Sequence, residues 1–277
     1  MAKRKAAKKK KSVRKTQAQR ADRHELYERS VQDPTSEVDF VARTFKRLRK
    51  RPALRLREDF SGTSVLSLQW AKSHPERKAW GVDLCAETLA WGQTHRVDAA
   101  GEDVAKRVKL LEGNVLDGLG PKVDVTTAYN FSYWILEDRA TMLRYFKLVR
   151  SKLVPDGVFF LDVLGGTDLY GEDENRVDHG DFTYVWKQLS FDPLTHHMKC
   201  QIGFEFPDGS SIARAFTYEW RLWSPPELRD LLLEAGFSRV RLMWEKTGED
   251  DEGTGSFYEP KRAENTPLWW TYIVAER

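Results

Sequence analysis

Short apolar runs alternate with longer amphipathic stretches along the first two thirds of the chain, and the spacing predicts strands separated by helices. Strands are predicted at 53–59 (ALRLRED), 78–83 (KAWGVD), 107–112 (RVKLLE), 123–129 (VDVTTAY) and 157–164 (GVFFLDVL). Helices are predicted at 64–73, 86–97 and 138–152. Strands alternating with helices build a parallel sheet through right-handed crossovers. Ahead of them, 21–32 (ADRHELYERSVQ) reads as a helical arm that ends at Asp33-Pro34. A second helix then runs to about Leu48, with Val38, Val41, Phe45 and Leu48 along one stripe.

After residue 164 the rhythm changes. Residues 182–221 hold three strand-like runs, FTYVWKQLSF, HHMKCQIGFEF and SSIARAFTYEWRLW. Asp192-Pro193 and Pro207-Asp208-Gly209 divide them, and both are turn-forming sequences. The stretch 165–222 is therefore expected to be an antiparallel β insertion, rich enough in aromatic residues to wall a substrate pocket. A helix follows at 225–236, with Ser224 as N-cap, Pro225 as first residue and Gly236 as stop. Two last strands fit 238–245 and 268–275, with an acidic, glycine-containing loop between them. No internal repeat is visible.

Charge adds a third region. Residues 1–20 carry ten Lys or Arg and no acid, which leaves 35 basic against 42 acidic residues in the rest. An acidic body with a cationic tail results. The tail has no apolar surface to bury and is expected to be disordered. It either stays solvated or holds nucleic acid through phosphate contacts. No apolar run is long enough to span a bilayer, and no apolar stretch follows the basic N-terminus as a secretory signal requires. Two cysteines in unrelated contexts, Cys85 and Cys200, fit a reducing, cytoplasmic setting. No metal-ligand pattern is present.

In an open α/β sheet ligands bind beyond the carboxyl ends of the strands, near the reversal of strand order. Four segments fall there. Arg57–Ser64 (REDFSGTS) sets Glu58 or Asp59 before a small-residue turn containing Gly62 and Thr63. A carboxylate at this point suits an ammonium group and repels a pyrophosphate. Asp83, followed by Leu84, ends the second strand about twenty residues later, where an acid accepts ribose hydroxyls or caps a helix. Asn114 and Val115 follow the third strand, either reading an adenine edge or simply ending the strand. Asn130-Phe131-Ser132-Tyr133-Trp134 follows the fourth, where it faces a reacting group or packs the loop.

Together these segments resemble the class I S-adenosylmethionine-dependent methyltransferase family over roughly residues 53–275. The phrase WSPPELRDLLLEAGF, far from the cofactor motif, is also similar to that family. The resemblance implies a seven-stranded, mostly parallel Rossmann-like sheet flanked by helices, its last strand antiparallel, with the insertion after strand 5. It implies S-adenosyl-L-methionine held by Glu58 or Asp59, Gly62, Thr63, Asp83, Leu84, Asn114, Val115 and Asn130. It also implies that the arm bearing Tyr27 and Glu28 folds over the cofactor. The sequence departs from the family motif at two glycine positions, occupied here by Phe60 and Ser64.

Such chemistry needs an aligned acceptor and no metal. Where the acceptor must lose a proton, the candidates are Tyr133, His179, His196, His197 and Glu219. Phe131, Ser132, Tyr133 and Arg221 are candidate pocket residues, Arg221 for an acidic substrate group. A small-molecule acceptor is expected from the aromatic insertion and acidic body. RNA, DNA or protein docked through the tail is the alternative. A nicotinamide-dependent oxidoreductase needs three glycines where F-S-G-T-S-V supplies one. A fourth reading is a binding module of the same fold without turnover.

Overall fold

The computed structural model describes residues 15–248 and 253–277. Five strands lie parallel: β1 (Arg55–Asp59), β2 (Lys78–Asp83), β3 (Val108–Glu112), β4 (Val123–Ala128) and β5 (Leu153–Gly165). β10 (Arg239–Thr247), β11 (Gly253–Tyr258) and β12 (Trp269–Glu276) extend the sheet by antiparallel pairing, giving the order β11-β10-β12-β5-β4-β1-β2-β3. The order reverses at β1, which is flanked by β2 and β4. Every residue of β4 is buried, as a central strand covered on both faces requires.

The helices are α1 (Arg23–Val31), α2 (Pro34–Arg49), α3 (Val65–Lys72), α4 (Ala86–Gly92), α5 (Glu102–Ala105), α6 (Arg139–Lys152) and α7 (Pro225–Glu234). Val38, Val41 and Phe45 of α2 join Leu66 and Trp70 of α3 over Leu56, Val125, Phe160 and Val274 on one face of the sheet. Met142, Phe146 and Val149 of α6 join Leu228 and Leu231 of α7 over Phe159, Leu161 and Ile273 on the other. Ser224 caps α7 as the sequence indicated, whereas the cap of α2 is Asp33, ahead of Thr35 and Ser36, which the sequence suggests. Asp33 and Ser224 each accept from a first-turn N–H ahead of a proline, and Ser224 closes a reciprocal box with Glu227.

The insertion is a separate antiparallel sheet in the order β6-β7-β8-β9, made of β6 (Asp173–Asp178), β7 (Thr183–Phe191), β8 (His197–Glu205) and β9 (Ser211–Arg221). Leu26 and Tyr27 place α1 against Phe182, Ile202, Phe204 and Ala215 of this sheet. Met198, Cys200 and Trp220 tie its other end to the main core.

Three differences from the sequence reading have physical causes. The main sheet has eight strands, not seven, because the glycine-rich stretch expected as a loop contains β11. The insertion has four strands, not three. β6 (DENRVD) is exposed throughout and shows no apolar alternation; pairing with β7 and the ion pairs Arg176–Glu205 and Lys187–Glu174 (both 2.7 Å) hold it. A charged edge strand of this kind resists pairing with other chains. Of the tail expected to be disordered, residues 1–14 lie outside the described residues. Gln17 and Ala18 belong to a turn whose N–H groups donate to Asp208 (2.7 Å) and Ser210 (3.0 Å).

Candidate functional site

A cleft opens beyond the carboxyl ends of β1 and β2. Its floor is Phe60–Thr63 and Asp83, its roof is Phe216, Tyr218 and Trp220 of β9, and His24 and Tyr27 of α1 close one side. The enclosed volume is about 340 Å3, within the range of small-ligand sites.

The floor is a strained turn. Phe60, Gly62 and Ser64 have φ of 57°, 51° and 60°, so all three are left-handed. Two are not glycine, at a cost of roughly 1–2 kcal/mol each. The backbone conformation that glycine favours thus persists where Phe60 and Ser64 replace it. Ser64 fits because its neighbour on β2 is Gly81, where a Cβ would collide with the Ser64 hydroxyl. A Cβ on Gly62 would meet nothing within 4 Å, so the space above that residue is open to a ligand.

Asp83 anchors the turn. Its Oδ2 accepts the Gly62 N–H at 2.7 Å and its Oδ1 accepts the Cys85 N–H at 2.8 Å. Each oxygen keeps a lone pair for a further donor. Across the cleft, Gln32 carries a buried Oε1 with no partner among the described residues. The arm is latched to the turn, because Glu28 accepts from the Thr63 hydroxyl (2.5 Å) and from Arg96 Nε (2.7 Å). Asp22 likewise accepts from Trp91 Nε1 at 2.7 Å.

The β4 end is held by Asp162 on β5. Its two carboxylate oxygens accept the N–H groups of Asn130 (2.6 Å) and Phe131 (3.0 Å), which have φ of 56° and 55°. Burial pushes the Asp162 carboxyl up to about 7, and those two N–H donors oppose the rise. Asn130 and Ser132 line the cleft; Asn130 and Phe131 also line a second cavity behind it.

Several residues singled out in the sequence fall elsewhere. Asp59 points into the core, paired to Arg57 Nε (2.6 Å) and bonded by the Tyr145 hydroxyl (2.9 Å); strand alternation turns it away from Glu58. Glu58 does not line the cleft. It lies buried behind the turn, accepts the Ser67 N–H (2.8 Å), and is pushed by burial up to about 7. Leu84 projects outward, 70% exposed. Asn114 is exposed and uses its side chain to cap Leu116 N–H, and Val115 is core.

Among the catalytic candidates, Tyr133 is fully buried and donates to the Asp162 carbonyl at 2.6 Å. His179 stacks on Phe182 in the β6–β7 turn, and Glu219 pairs with Lys199 (3.0 Å) on the outer face of β9. His197 faces Glu137 at 3.7 Å. Arg221 donates to the Glu137 carbonyl and to Glu227 and lies over the Trp223 ring, its Nε has no partner among the described residues, and it does not line the cleft. The imidazole that lines the cleft is His24, lodged between Trp91 and Phe216 and lowered in pKa by burial.

The sequence reading missed Gln32, His24, Phe216, Tyr218 and Trp220 as cleft residues. The last three had a signal, since they alternate along β9 and so share a face. Gln32 had none. Among the described residues, no group of three or more His, Cys, Asp or Glu is arranged to hold a metal, and no helix is long and apolar enough to cross a membrane.

No family model matches the chain. No curated protein matches it either. Solved structures do. The chain is similar to an S-adenosylmethionine-dependent methyltransferase from Clostridium acetobutylicum, with TM-score 0.65 and 18% identity over 90% of this chain and 96% of that one. It is similar to an S-adenosylmethionine-bound amino pentose methyltransferase from Micromonospora echinaspora, with TM-score 0.63 and 17% identity over 92% and 95%. A sugar N-methyltransferase from a Streptoalloteichus species gives TM-score 0.61 and 17% identity over 100% and 98%. At these identities the likeness establishes the fold: the chain has the Rossmann-like architecture of class I methyltransferases.

Proposed function

We propose that the cleft binds S-adenosyl-L-methionine and that the protein transfers its methyl group to a small-molecule acceptor. The observation that carries the proposal is Asp83 fixed by two backbone N–H groups beside a left-handed turn with open space above Gly62. The residues present fit the cofactor. The free lone pairs of Asp83 suit two ribose hydroxyls, and the unpartnered Gln32 Oε1 suits an ammonium or amide donor. When bound, the cofactor supplies a sulfonium-activated methyl: the carbon–sulfur bond breaks as the acceptor–carbon bond forms.

The chain's own part is binding, orientation and exclusion of water. Phe216, Tyr218 and Trp220 roof the cleft with aromatic surface, and α1 closes it through the Glu28–Thr63 bond. His24, kept neutral by burial, is the cleft residue suited to take a proton near pH 7. The structurally similar proteins named for amino pentose and sugar nitrogen methylation support a nitrogen on a small molecule as the acceptor.

Calorimetry tests the reading. S-adenosylmethionine is expected to bind and NAD is not. Asp83→Ala is expected to weaken cofactor binding by on the order of 1–3 kcal/mol, the range for losing hydrogen bonds to a charged group. NAD binding without S-adenosylmethionine binding, or an unaltered affinity in Asp83→Ala, overturns the assignment.

A further inference from the structure

A second cavity, about 570 Å3 in volume, lies behind the cleft between the first turn of α2 and the ends of β4, β5, β10, β11 and β12. Its charge is lopsided. Asp33, Glu37, Asp39, Asp162 and Glu245 line it, and the one lining cation among the described residues is Arg43. Arg43 stands 3.5 Å from Asp39, and Glu245 accepts the Gly255 N–H at 2.6 Å. Glu37 has no hydrogen-bond or ion-pair partner among the described residues. The charges that act on it are Asp162, Glu58 and Asp33, all acidic, and with burial they raise its carboxyl well above the usual range.

A buried hydroxyl lies close to this wall. Tyr129 is 6% exposed, and its hydroxyl is buried without a partner among the described residues. Its ring packs 5.3 Å from Tyr272, and the carboxylates that act on its hydroxyl are Glu37 and Asp162. Those three residues line the cavity, and Tyr129 stands next to them without lining it. Carboxylates set against a walled space ordinarily find partners, so the unpartnered Glu37 on this cavity implies an occupant that donates and carries positive charge. The remaining wall is aromatic: Phe131, Phe257, Trp270 and Tyr272. Aromatic faces attract cations, and organic ammonium ions in particular. The acids are not grouped as metal ligands, which favours an organic cation over a metal ion.

We infer that this cavity is a subsite for an organic ammonium group carried on an apolar frame, with Glu37 as its principal counter-charge. Asn130 lines both this cavity and the cleft, so the two spaces adjoin at that residue. Its identification as part of the acceptor site rests on the methyl-transfer reading above; the binding itself does not.

Benzylamine, protonated at pH 7.5, and its neutral analogue benzyl alcohol are the probes, measured by calorimetry on the full chain with S-adenosylmethionine present. Benzylamine is expected to bind at least tenfold more tightly than benzyl alcohol. Glu37→Gln is expected to remove at least fivefold of that affinity while leaving cofactor affinity unchanged. Asp83→Ala is expected to do the reverse, so failure of the subsite and failure of the cofactor assignment read out separately. Equal binding of the two probes in the unaltered protein overturns the inference. So does unchanged benzylamine binding in Glu37→Gln, loss of it in Asp83→Ala, or displacement of it by magnesium alone.

Discussion

Asp162 joins two successive left-handed residues to β5. Each such residue costs roughly 1–2 kcal/mol, and two charge-assisted N–H bonds offset that cost. Asp162→Ala is therefore expected to release Asn130 and Phe131 into ordinary backbone conformations. Methyl transfer should fall at least tenfold, while S-adenosylmethionine affinity, which depends on Asp83 across the cleft, should change by less than about threefold; parallel turnover and calorimetry check this. Equal losses in both would mean that the loop serves the cofactor instead. Asp83 was legible as a cleft residue because an acid ending a strand, twenty residues past a glycine turn, stands at the ligand-facing edge of such a sheet. Asp162 was not, since within GVFFLDVL it reads as one more strand residue, and only the register of β4 against β5 brings it to the loop. The choice between Glu58 and Asp59 also needed the pleat. Arg57 and Asp59 share the α6 side as a buried pair, which leaves Glu58 on the side of α3. The Ser64–Gly81 fit makes a second residue-scale prediction. Gly81→Ala is expected to lower stability by about 1–3 kcal/mol through overpacking, and Ser64→Gly in the same chain to recover part of it. Strictly additive losses by chemical denaturation would show that the two sites do not meet.

At the scale of elements, α1 is the mobile candidate of the site, because polar bonds rather than a large apolar face join it to the main sheet. Its apolar residues, Leu26 and Tyr27, pack on the insertion sheet, and Glu28 and Asp22 reach the glycine turn and α4. Glu28→Ala is expected to raise the cofactor dissociation constant by about three- to thirtyfold and to hasten proteolysis within residues 21–32. Saturating S-adenosylmethionine should restore protection in the unaltered chain. A cofactor-independent cleavage rate in both proteins would refute a closing role for the arm. The arm, the main helices and the five parallel strands were readable from periodicity and caps. β6 and β11 were not, because one is all charge at a sheet edge and the other is interrupted by Gly253 and Gly255. Their pairing energy comes from neighbours distant in sequence, which local pattern does not register.

For the whole molecule the governing fact is a set of acids on the α2 side of the sheet's upper edge: buried Glu58 and Asp162, and half-buried Glu37. Burial raises each above its ordinary value, Glu58 and Asp162 to about 7. A carboxyl that binds its proton more tightly when folded stabilises the fold fully below its unfolded pKa. That contribution disappears as pH rises through the folded value. Stability should therefore fall between about pH 4.5 and pH 7 on account of these groups. His24 works in the opposite direction, because its lowered pKa makes the folded state gain stability as pH rises through about 6.5. A single melting curve thus mixes the two, and the difference between proteins isolates the acids. Glu58→Gln keeps an oxygen for the Ser67 N–H and removes the titration, so the variant should lose less stability than the parent from pH 5 to pH 8, by on the order of 1–3 kcal/mol. Denaturant unfolding at both pH values measures it, and parallel profiles for the two proteins would mean that Glu58 stays ionised in the fold. The basic tail is a separate term. Residues 1–14 lie outside the described fold, and the body without residues 1–20 is acidic, so a chain lacking residues 1–14 should keep this pH profile and its cofactor affinity. Salt-sensitive RNA or DNA binding that disappears with those residues would instead assign the tail a nucleic-acid partner. Glu37 and Asp162 are expected to ionise together when a cation enters the cavity they line. Benzylamine should therefore stabilise the protein more at pH 8 than at pH 5, and an equal effect at both would uncouple the buried charge from the second cavity.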